Sequence, residues 1–272
     1  MSKYMTSHPR SIPRRILLRL SGVFAGLGFG IHRASSPTRD PVVVDRFILS
    51  NFYRPGPRQK LYQDCLRATG MEWSDNFPKQ CRYDLLVQLL EHVLRRGIRG
   101  DVIECGCWKG HSTRMLAATM SRFGGGRRLE VFDSFEGGLS DKTPQDRNER
   151  FDLTPAQIEE ERRTFSSTEA EVRRALEGFD FVGLHPGWIP DRFGDLAPRP
   201  CAFLHIDVDL YQPIRDTLEF FWPRLEPGGI IVLDDHGYCQ FPGARRAAEE
   251  FFAANAPSMF LEMPIGGAFA VK

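Results

Sequence analysis

Aspartates lie at two points of the chain where an apolar run typical of a buried β-strand ends. Asp207 ends one such run, with Asp209 two residues later, and Asp234 and Asp235 end another. If the two strands are neighbours, the carboxylates converge at one edge of the sheet and repel one another unless a cation lies between them. Oxygen ligands suit a hard ion, so Asp207, Asp234 and Asp235 predict a Mg²⁺ site. Helix N-capping accounts for one of these aspartates but not for all three.

A glycine-rich turn after an earlier apolar run has the composition of a ligand-binding loop. In this segment, Glu104–Ser112, the residues Gly106 and Gly110 allow a tight turn and a close approach of a ligand. The predicted helix that follows offers free N–H groups at its N-terminus. The spacing is not the dinucleotide fingerprint, and Glu104 disfavours a pyrophosphate while suiting a cationic ligand. The alternative is a tight strand–helix turn that binds nothing.

Asp133 ends the next predicted strand, and an acid at this point can accept both hydroxyls of a ribose. Together with the glycine-rich turn, it predicts a nucleoside-bearing cofactor; an exposed loop aspartate is the alternative. Trp188 follows a later strand and either walls the cofactor pocket or packs in the fold. The residues assigned to cofactor binding are Glu104, Gly106, Trp108, Gly110, Ser112, Asp133, Ser134 and Trp188.

Two histidines flank the edge that carries the aspartates. His205 occupies an alternating strand position and is more typical of a packed core histidine. His236 directly follows Asp235 and is a candidate to act as a base or to bind substrate, with simple space filling as the alternative. Asp207 and His236 are therefore the catalytic candidates, because either could take a proton from a reacting group.

The elements that must position these residues alternate along the chain. The hydrophobic pattern predicts strands over 101–105, 128–133, 181–185, 201–207 and 229–234, and helices over 81–96, 111–123, 155–177, 213–225 and 242–255. Two short apolar runs, 259–263 and 268–272, predict a hairpin. The alternation indicates a doubly wound, mostly parallel α/β sheet with an antiparallel C-terminal hairpin. Ligands in such sheets bind beyond the carboxyl ends of the strands, where all the candidate residues lie.

Four motifs together resemble the macrocin O-methyltransferase (TylF/MycF-like) family of class I S-adenosylmethionine-dependent methyltransferases. They are Val102–Gly110, Phe132–Gly137, Leu204–Tyr211 and the pair Pro227-Gly228-Gly229 with Leu233-Asp234-Asp235. The resemblance covers roughly residues 75–255. His236 stands where many family members carry an aromatic residue.

The resemblance implies a seven-stranded Rossmann-like fold and a Mg²⁺-assisted methyl transfer to a sugar hydroxyl in natural product biosynthesis. It implies that the three aspartates hold the metal and that Asp133 binds the ribose, with Glu104, Gly106 and Gly110 at the methionine end of the cofactor. A homo-oligomer and a small-molecule or glycoconjugate acceptor are further expectations from the family.

Composition narrows the alternatives. The chain of 272 residues has 36 Lys+Arg against 35 Asp+Glu, a net charge of +1 that gives no argument for nucleic-acid binding. Its 6 cysteines include no CxxC pair, so neither a disulfide framework nor a structural zinc site is expected. Reduced thiols favour a cytoplasmic location.

The N-terminal region differs from the rest in charge. Residues 1–39 contain seven Lys/Arg and no Asp or Glu. The spacing of apolar residues over 10–33 predicts a basic amphipathic helix that could contact an anionic membrane surface. A targeting peptide or an arm packed on the domain or its dimer mate are the alternatives. We therefore divide the chain into an arm and linker, 1–58, and a methyltransferase domain, 59–272.

Two other functions compete with methyl transfer. Asp207-Val208-Asp209 is formally the DxD motif with which glycosyltransferases hold a metal and a sugar nucleotide, but that function leaves the glycine-rich turn and Asp234-Asp235 unexplained. The second is a non-catalytic, membrane-associated binding module, against which the retained aspartates argue.

Overall fold

The computed structural model describes residues 30–32, 43–45, 56–123, 125–147, 153–196 and 199–272. The chain divides into two units, Met1–Gly56 and Pro57–Lys272. In the first unit, β1 (Gly30–His32) pairs antiparallel with β2 (Val43–Asp45). The prediction of a helix over 10–33 is therefore wrong at residues 30–32, which form a strand. Residues 10–29 and 33 lie outside the described residues, so the role assigned to residues 1–58 stays a prediction.

The second unit carries the alternating elements. Its strands are β3 (Asp101–Cys105), β4 (Leu129–Asp133), β5 (Val182–Pro186), β6 (Cys201–Ile206), β7 (Leu225–Leu233), β8 (Met259–Glu262) and β9 (Ala268–Val271). Its helices are α1 (Pro57–Ala68), α2 (Phe77–Arg95), α3 (His111–Ser121), α4 (Pro155–Thr164), α5 (Glu169–Ala175), α6 (Tyr211–Phe221) and α7 (Pro242–Ala254). Within the described residues, no helix has the length and apolar character needed to cross a bilayer.

The second unit's strands form one seven-stranded sheet in the order β5-β4-β3-β6-β7-β9-β8. The strands β3 to β7 are parallel, β9 runs antiparallel to β7, and β8 and β9 form the C-terminal hairpin. This confirms the predicted fold class. The strand order reverses between β3 and β6, so their carboxyl ends flank the switch point at which ligands bind in such sheets.

Both faces of the sheet are covered, because successive strand residues point to opposite sides. Val102 packs with α2, α3 and α5 on one face, whereas Ile103 packs with α6 and α7 on the other. The parallel strands therefore read as continuous apolar runs, as expected for strands buried on both sides.

Three of the predicted helices differ from the structure by more than two residues or in number. The predicted helix over 155–177 is two helices, because Thr168 starts α5 with a capping box in which its side chain accepts from Glu171 N (3.2 Å). The helix α2 begins earlier than predicted, at Phe77, since the Asn76 side chain accepts from Lys79 N (2.9 Å). The helix α6 begins at Tyr211 rather than at Pro213.

The helix α1 was not predicted. It packs Tyr62, Cys65 and Leu66 against Tyr83 of α2 and Met115 of α3. Its apolar residues are few and its surface is charged, so the sequence pattern does not separate it from the proline-rich segment before it. Its packing fixes the connection between α1 and α2 close to the edge of the sheet that carries the candidate residues.

Candidate active site

A cavity of about 310 Å³ opens at the carboxyl ends of β3, β4 and β6. Of the residues predicted to form the site, those that line it are Gly106, Trp108, Asp133, Ser134, Trp188 and Asp207. Its other walls include Phe132, Leu139 and Phe165, which sequence reasoning did not single out. The cavity therefore lies at the switch point, with mixed apolar and acidic walls.

The turn after β3 requires glycine because two strand ends meet there. Gly106 has φ +84°, and a side-chain Cβ at this position would lie 1.8 Å from the backbone oxygen of Asp207. Gly106 N also donates to Phe132 O (2.8 Å), which holds the turn against β4. Trp108 has φ 45°, which is uncommon for a residue with a side chain. The loop is thus held close to the ends of both neighbouring strands.

Asp133 holds this loop through backbone groups. Its Oδ2 accepts from Cys107 N (2.7 Å) and Trp108 N (3.0 Å), and its Oδ1 accepts from Phe135 N (2.6 Å). Burial raises the pKa of Asp133 above its usual range, although these three N–H groups favour the charged form. A carboxylate has about four acceptor positions, so Oδ1 keeps capacity for a ligand hydroxyl.

Glu104 lies beneath the loop and not in the cavity. It is fully buried, its Oε2 accepts from Thr113 Oγ1 (2.5 Å), and its Oε1 lies 3.0 Å from His205 Nδ1. Burial opposes protonation of His205, but the hydrogen bond to Glu104 and the attraction of Glu104, Asp207 and Asp234 together outweigh it and raise the pKa of the ring. Glu104 therefore does not line this cavity, because both of its oxygens are engaged inside the protein, and its assignment to cofactor binding stays a prediction.

Two other predicted cofactor residues also lie outside the cavity. Gly110 has φ +80° and packs against Val172, whose Cγ1 would lie 3.3 Å from a Cβ added there. Ser112 is buried in the first turn of α3. Both residues lie where the loop joins the helix. They contribute to the site by setting the course of the backbone there.

Trp188 and Ser134 lie on the wall formed by β4 and β5. The Trp188 ring is 44% exposed and covers Gly137, where an added Cβ would lie 2.6 Å from Trp188 Cζ2. Ser134 Oγ donates to Gly138 O (2.6 Å) and closes the turn after β4. The tryptophan thus presents an apolar face to the cavity, opposite the glycine-rich loop.

The three predicted metal ligands converge. One carboxylate oxygen from each of Asp207, Asp234 and Asp235 lies within 4.8 Å of the others. The backbone continues the sheet pairing past the strands, since Asp207 N donates to Cys105 O (2.8 Å) and Asp234 N donates to Ile206 O (2.9 Å). Burial, together with the neighbouring carboxylates, raises the pKa of Asp207 and Asp235 well above the usual range. Asp209 is not in this group, but its N–H donates to Asp235 Oδ2 (3.1 Å).

A positive charge from α2, which sequence reasoning missed, partly balances this cluster. Arg82 Nε lies 3.1 Å and 3.0 Å from the two oxygens of Asp234, and both side chains are nearly buried. Arg82 also donates to the hydroxyl of Tyr238. Three carboxylates against one guanidinium leave an excess of negative charge, and oxygen donors at this spacing suit a hard divalent cation. The donor set therefore fits Mg²⁺.

The helix α2 brings a second buried cation to the same side. Lys79 is 7% exposed, its Nζ donates to Ser74 Oγ (2.8 Å), and burial lowers its pKa to about 8. The sequence pattern indicates that Lys79 is buried. Positions 79, 83, 86, 90 and 93 share one face of the helix, and the other four residues are apolar or aromatic. A charge on a buried stripe indicates a polar partner in the fold.

His236 lies apart from the cavity and from the three aspartates' ligand group. It is 2% exposed, its Nε2 lies 3.3 Å from Glu262 Oε1, and its ring meets Phe260 edge-on. Burial lowers the pKa of the ring. The structure therefore does not bring His236 to a position where it could serve as the general base, because its ring is turned toward the C-terminal hairpin.

The seven-stranded, mostly parallel sheet with its C-terminal hairpin is the fold of S-adenosylmethionine-dependent O-methyltransferases. The family model for macrocin O-methyltransferase (TylF) matches residues 38–262, and the chain belongs to this family. This confirms the resemblance stated from the motifs. It also overturns the glycosyltransferase alternative, since the DxD spacing of Asp207 and Asp209 occurs here in a methyltransferase.

Curated relatives agree with this assignment. The 8-demethyl-8-(2,3-dimethoxy-alpha-L-rhamnosyl)-tetracenomycin-C 4'-O-methyltransferase of Streptomyces olivaceus is 31% identical over 206 residues, covering 70% of this chain and 76% of the relative. The mycinamicin III 3''-O-methyltransferase of Micromonospora griseorubida is 33% identical over 181 residues, covering 62% and 67%. Among solved structures, the O-methyltransferase NovP superposes with a TM-score of 0.60 at 26% identity, covering 76% of this chain and 87% of NovP.

Proposed function

We propose that this enzyme methylates a sugar hydroxyl of a glycosylated metabolite and uses Mg²⁺ bound by Asp207, Asp234 and Asp235. Two relatives support the acceptor class, because their names give a rhamnosyl tetracenomycin and a mycinamicin as substrates. The observation that carries the metal proposal is the convergence of three carboxylates within 4.8 Å, one of which also lines the cofactor cavity.

The cofactor is proposed to lie across the glycine-rich loop. Asp133 is the residue that would accept the ribose hydroxyls, since it is anchored by three N–H groups and keeps a free acceptor position. Trp188 would cover the cofactor from the side of β5. Gly106 lets this loop run against the end of β6, where an added Cβ would meet the Asp207 backbone oxygen, and the methionine end would lie along the loop so placed.

Methyl transfer is an in-line displacement, so its main requirement is the orientation of the acceptor oxygen toward the methyl carbon. The C–O bond forms as the C–S bond of S-adenosylmethionine breaks, giving the methyl ether, S-adenosylhomocysteine and a proton. A divalent cation, when bound, lowers the pKa of an oxygen that it coordinates. Asp207 would accept the proton, because among the three aspartates it alone lines the cavity.

The test is methyl transfer measured by mass spectrometry with a panel of 4-nitrophenyl glycosides, in Mg²⁺ and in EDTA. We expect product only with Mg²⁺, and we expect Asp235→Asn to lose transfer while still binding S-adenosylhomocysteine. Equal rates in EDTA would remove the metal from the proposal but leave the methyltransferase assignment intact. Glu262→Gln is the matched control, since Glu262 lies beside His236 and outside the cavity.

The remaining expectations stay predictions. Peripheral membrane contact through 10–33, a homo-oligomer and a cytoplasmic location rest on the sequence alone. Liposome co-sedimentation of the full chain and of a full-length variant with Arg10, Arg14, Arg15 and Arg19 changed to Glu tests the membrane contact. Equal sedimentation of the two proteins would remove it.

A further inference from the structure

A second cavity, of about 470 Å³, lies on the face of the sheet against which α6 and α7 pack. We call it the rear cavity, and its floor includes Ile103 of β3, Glu130 of β4 and His185 of β5. It shares no lining residue with the cofactor cavity, but Phe132, which lines the cofactor cavity, stacks on His185 with ring centroids 4.6 Å apart. Its volume lies in the range of small-molecule sites, about 300 to 1,000 Å³.

The rear cavity exists because the connection between β5 and β6 covers little of the sheet. In the described part of that connection, the helical segment is the five-residue 3₁₀ turn Asp191–Asp195. The opposite wall is the end of α6, which contributes Phe220 and Phe221. At Gly183 of β5, an added Cβ would lie 2.1 Å from Glu130 Oε2, so the Glu130 side chain occupies the space of a β5 side chain. The result is a hollow with a polar floor and aromatic sides.

Two buried carboxylates in the rear cavity hold guanidinium groups by one nitrogen each. Asp101 Oδ2 lies 3.0 Å from Arg199 Nε, and Glu130 Oε1 accepts from Arg128 Nε (2.5 Å). The other oxygen of Glu130 lies 2.8 Å from His185 Nε2. A guanidinium has five N–H donors, and four of them are on the two Nη atoms. Because each carboxylate engages Nε, the Nη groups of both arginines keep donors for a ligand.

The charges that line the rear cavity do not cancel. The third lining carboxylate, Asp195, pairs with Arg192, which lies outside the lining. Arg224 is then a lining guanidinium that no carboxylate of the described residues pairs with. Its Nη1 donates to Phe220 O (2.5 Å), and its guanidinium carbon lies 3.7 Å from the centroid of the Phe220 ring. Counted without His185, the paired groups cancel and one positive charge remains, which a single anionic group would balance.

We propose that the rear cavity is a second ligand site, separate from the cofactor cavity, and that it binds a small aromatic carboxylate. The aromatic ring of the ligand lies against the phenyl rings of Phe193 and Phe221, which prefer offset or edge-on ring contacts. Its carboxylate accepts from Nη groups of the lining arginines, because a guanidinium matches the planar geometry of a carboxylate. A phosphate monoester carries nearly two charges at pH 7 and exceeds the single charge to be balanced.

The experiment measures dissociation constants by isothermal titration calorimetry for 2-naphthoate, the uncharged 2-naphthamide and 2-naphthyl phosphate. The samples contain EDTA, so that no probe binds through a metal at the aspartate cluster, and saturating S-adenosylhomocysteine, which occupies the cofactor cavity. Wild type is compared with Arg224→Met, Arg224→Lys and the control Arg215→Met. Arg215 is a matched control because it lies on α6, pairs with Glu219 (2.6 Å) and does not line the rear cavity.

We expect wild type to bind 2-naphthoate with a dissociation constant of about 1 mM or below. Arg224→Met should weaken this binding about tenfold, because a hydrogen bond between two charged groups is lost. Arg224→Lys keeps the charge but loses the planar fork, so it should lose only about threefold. Arg215→Met should leave the affinity unchanged. Binding of 2-naphthamide should be weaker than that of 2-naphthoate and should not respond to Arg224→Met.

Gly194→Leu tests the location of the bound probe. Gly194 lines the rear cavity, and a Cβ added there meets no atom within 4 Å, so leucine takes ligand space without displacing a neighbour. We expect this variant to bind S-adenosylhomocysteine as wild type does but not to bind 2-naphthoate.

Four outcomes would overturn the proposal. They are no binding of 2-naphthoate to wild type, equal binding of 2-naphthamide, tighter binding of 2-naphthyl phosphate, and undiminished binding of 2-naphthoate to both Gly194→Leu and Arg224→Met. The samples contain neither a methyl acceptor nor Mg²⁺, so a failure of the proposed sugar methylation would leave these results unchanged.

Discussion

Carboxylates lie at the carboxyl ends of β4 on one side of β3 and of β6 and β7 on the other, and their surroundings differ. Asp133, after β4, receives three backbone N–H groups from the loops beside it. The cluster of Asp207, Asp234 and Asp235, after β6 and β7, receives one N–H group from Asp209 and one guanidinium from Arg82. The first carboxylate is satisfied by the fold itself, and the second group is not.

The negative charge of Asp133 is stabilised by the fold itself. The negative charge of the cluster must be balanced by a bound cation. Backbone amides stabilise the anion of Asp133 without adding a formal charge, and they hold the cofactor loop in place. Burial, together with the neighbouring carboxylates, raises the pKa of Asp207 and Asp235, which is the expected behaviour of a cation site without its cation.

Removing the buried cation of the cluster should be the most damaging change. Arg82→Met leaves Asp234 charged, nearly buried and unpaired, which costs about 3 to 5 kcal/mol of unfolding free energy. Urea unfolding in EDTA measures the loss, and millimolar Mg²⁺ should restore part of it. Arg58→Met is the control, because the Arg58–Asp84 pair is more exposed and should contribute less than about 1 kcal/mol. Equal effects of the two substitutions would contradict the contrast.

Asp133→Asn should impair both the fold and cofactor binding. Either orientation of the amide places an NH₂ group against a backbone N–H that the carboxylate accepted, at a cost of about 2 to 3 kcal/mol. The affinity for S-adenosylhomocysteine should fall at least about tenfold in calorimetric titration. Asp141→Asn is the control, since Asp141 also lines the cavity but its side chain is 95% exposed. Mg²⁺ should not rescue Asp133→Asn, and a rescue would place Asp133 in the metal site instead.

A buried histidine at the start of α3 should make the unfolding free energy depend on pH. His111 is buried at its start, its Nε2 donates to Tyr62 O (3.1 Å), and burial lowers its pKa to about 3. The unfolded chain takes up this proton near pH 6.5, so the histidine lowers stability progressively as the pH falls from about 6.5 toward 3.

The measurement is the difference in unfolding free energy between pH 7 and pH 5. That difference should be smaller in His111→Gln than in wild type by about 2 kcal/mol. The exposed His92, changed to Gln, is the control and should leave the difference unaltered. An unchanged pH dependence in His111→Gln would show that the ring is protonated in the folded state.

The sequence predicted the sheet and the convergence of Asp207, Asp234 and Asp235, because both follow from local pattern. Apolar runs separated by amphipathic helices favour parallel strands with helical crossovers, and residues that end neighbouring parallel strands share an edge of the sheet. The sequence pattern is less informative about the direction in which a given side chain points. Glu104 alternates with Ile103 along β3, so it lies on the same face as Val102, toward α2 and α3, and not at the strand end where the cavity opens.

Residues brought in from distant elements could not be predicted. Arg82 comes from α2, about a hundred residues or more before the aspartates, and only the packing of α1 and α2 places it there. His236 is adjacent to Asp235 in sequence, but the chain turns after β7 and directs the ring to Glu262. Sequence neighbours diverge in this loop because Asp235 and His236 lie in the turn after β7, in which Tyr238 N donates to Asp235 O (3.0 Å).

The smallest expected change in unfolding free energy is a gain rather than a loss. It tests most directly whether the cluster differs from Asp133. Asp235→Asn removes one charge from the cluster, and the amide oxygen can still accept the N–H of Asp209. Relief of repulsion should therefore raise the unfolding free energy in EDTA by about 1 kcal/mol, whereas the same change at Asp133 lowers it. The gain in stability on adding Mg²⁺ should disappear, because binding stabilises only a protein that retains its ligands. A variant that is destabilised in EDTA and still responds to Mg²⁺ would show that Asp235 is held by the fold, as Asp133 is.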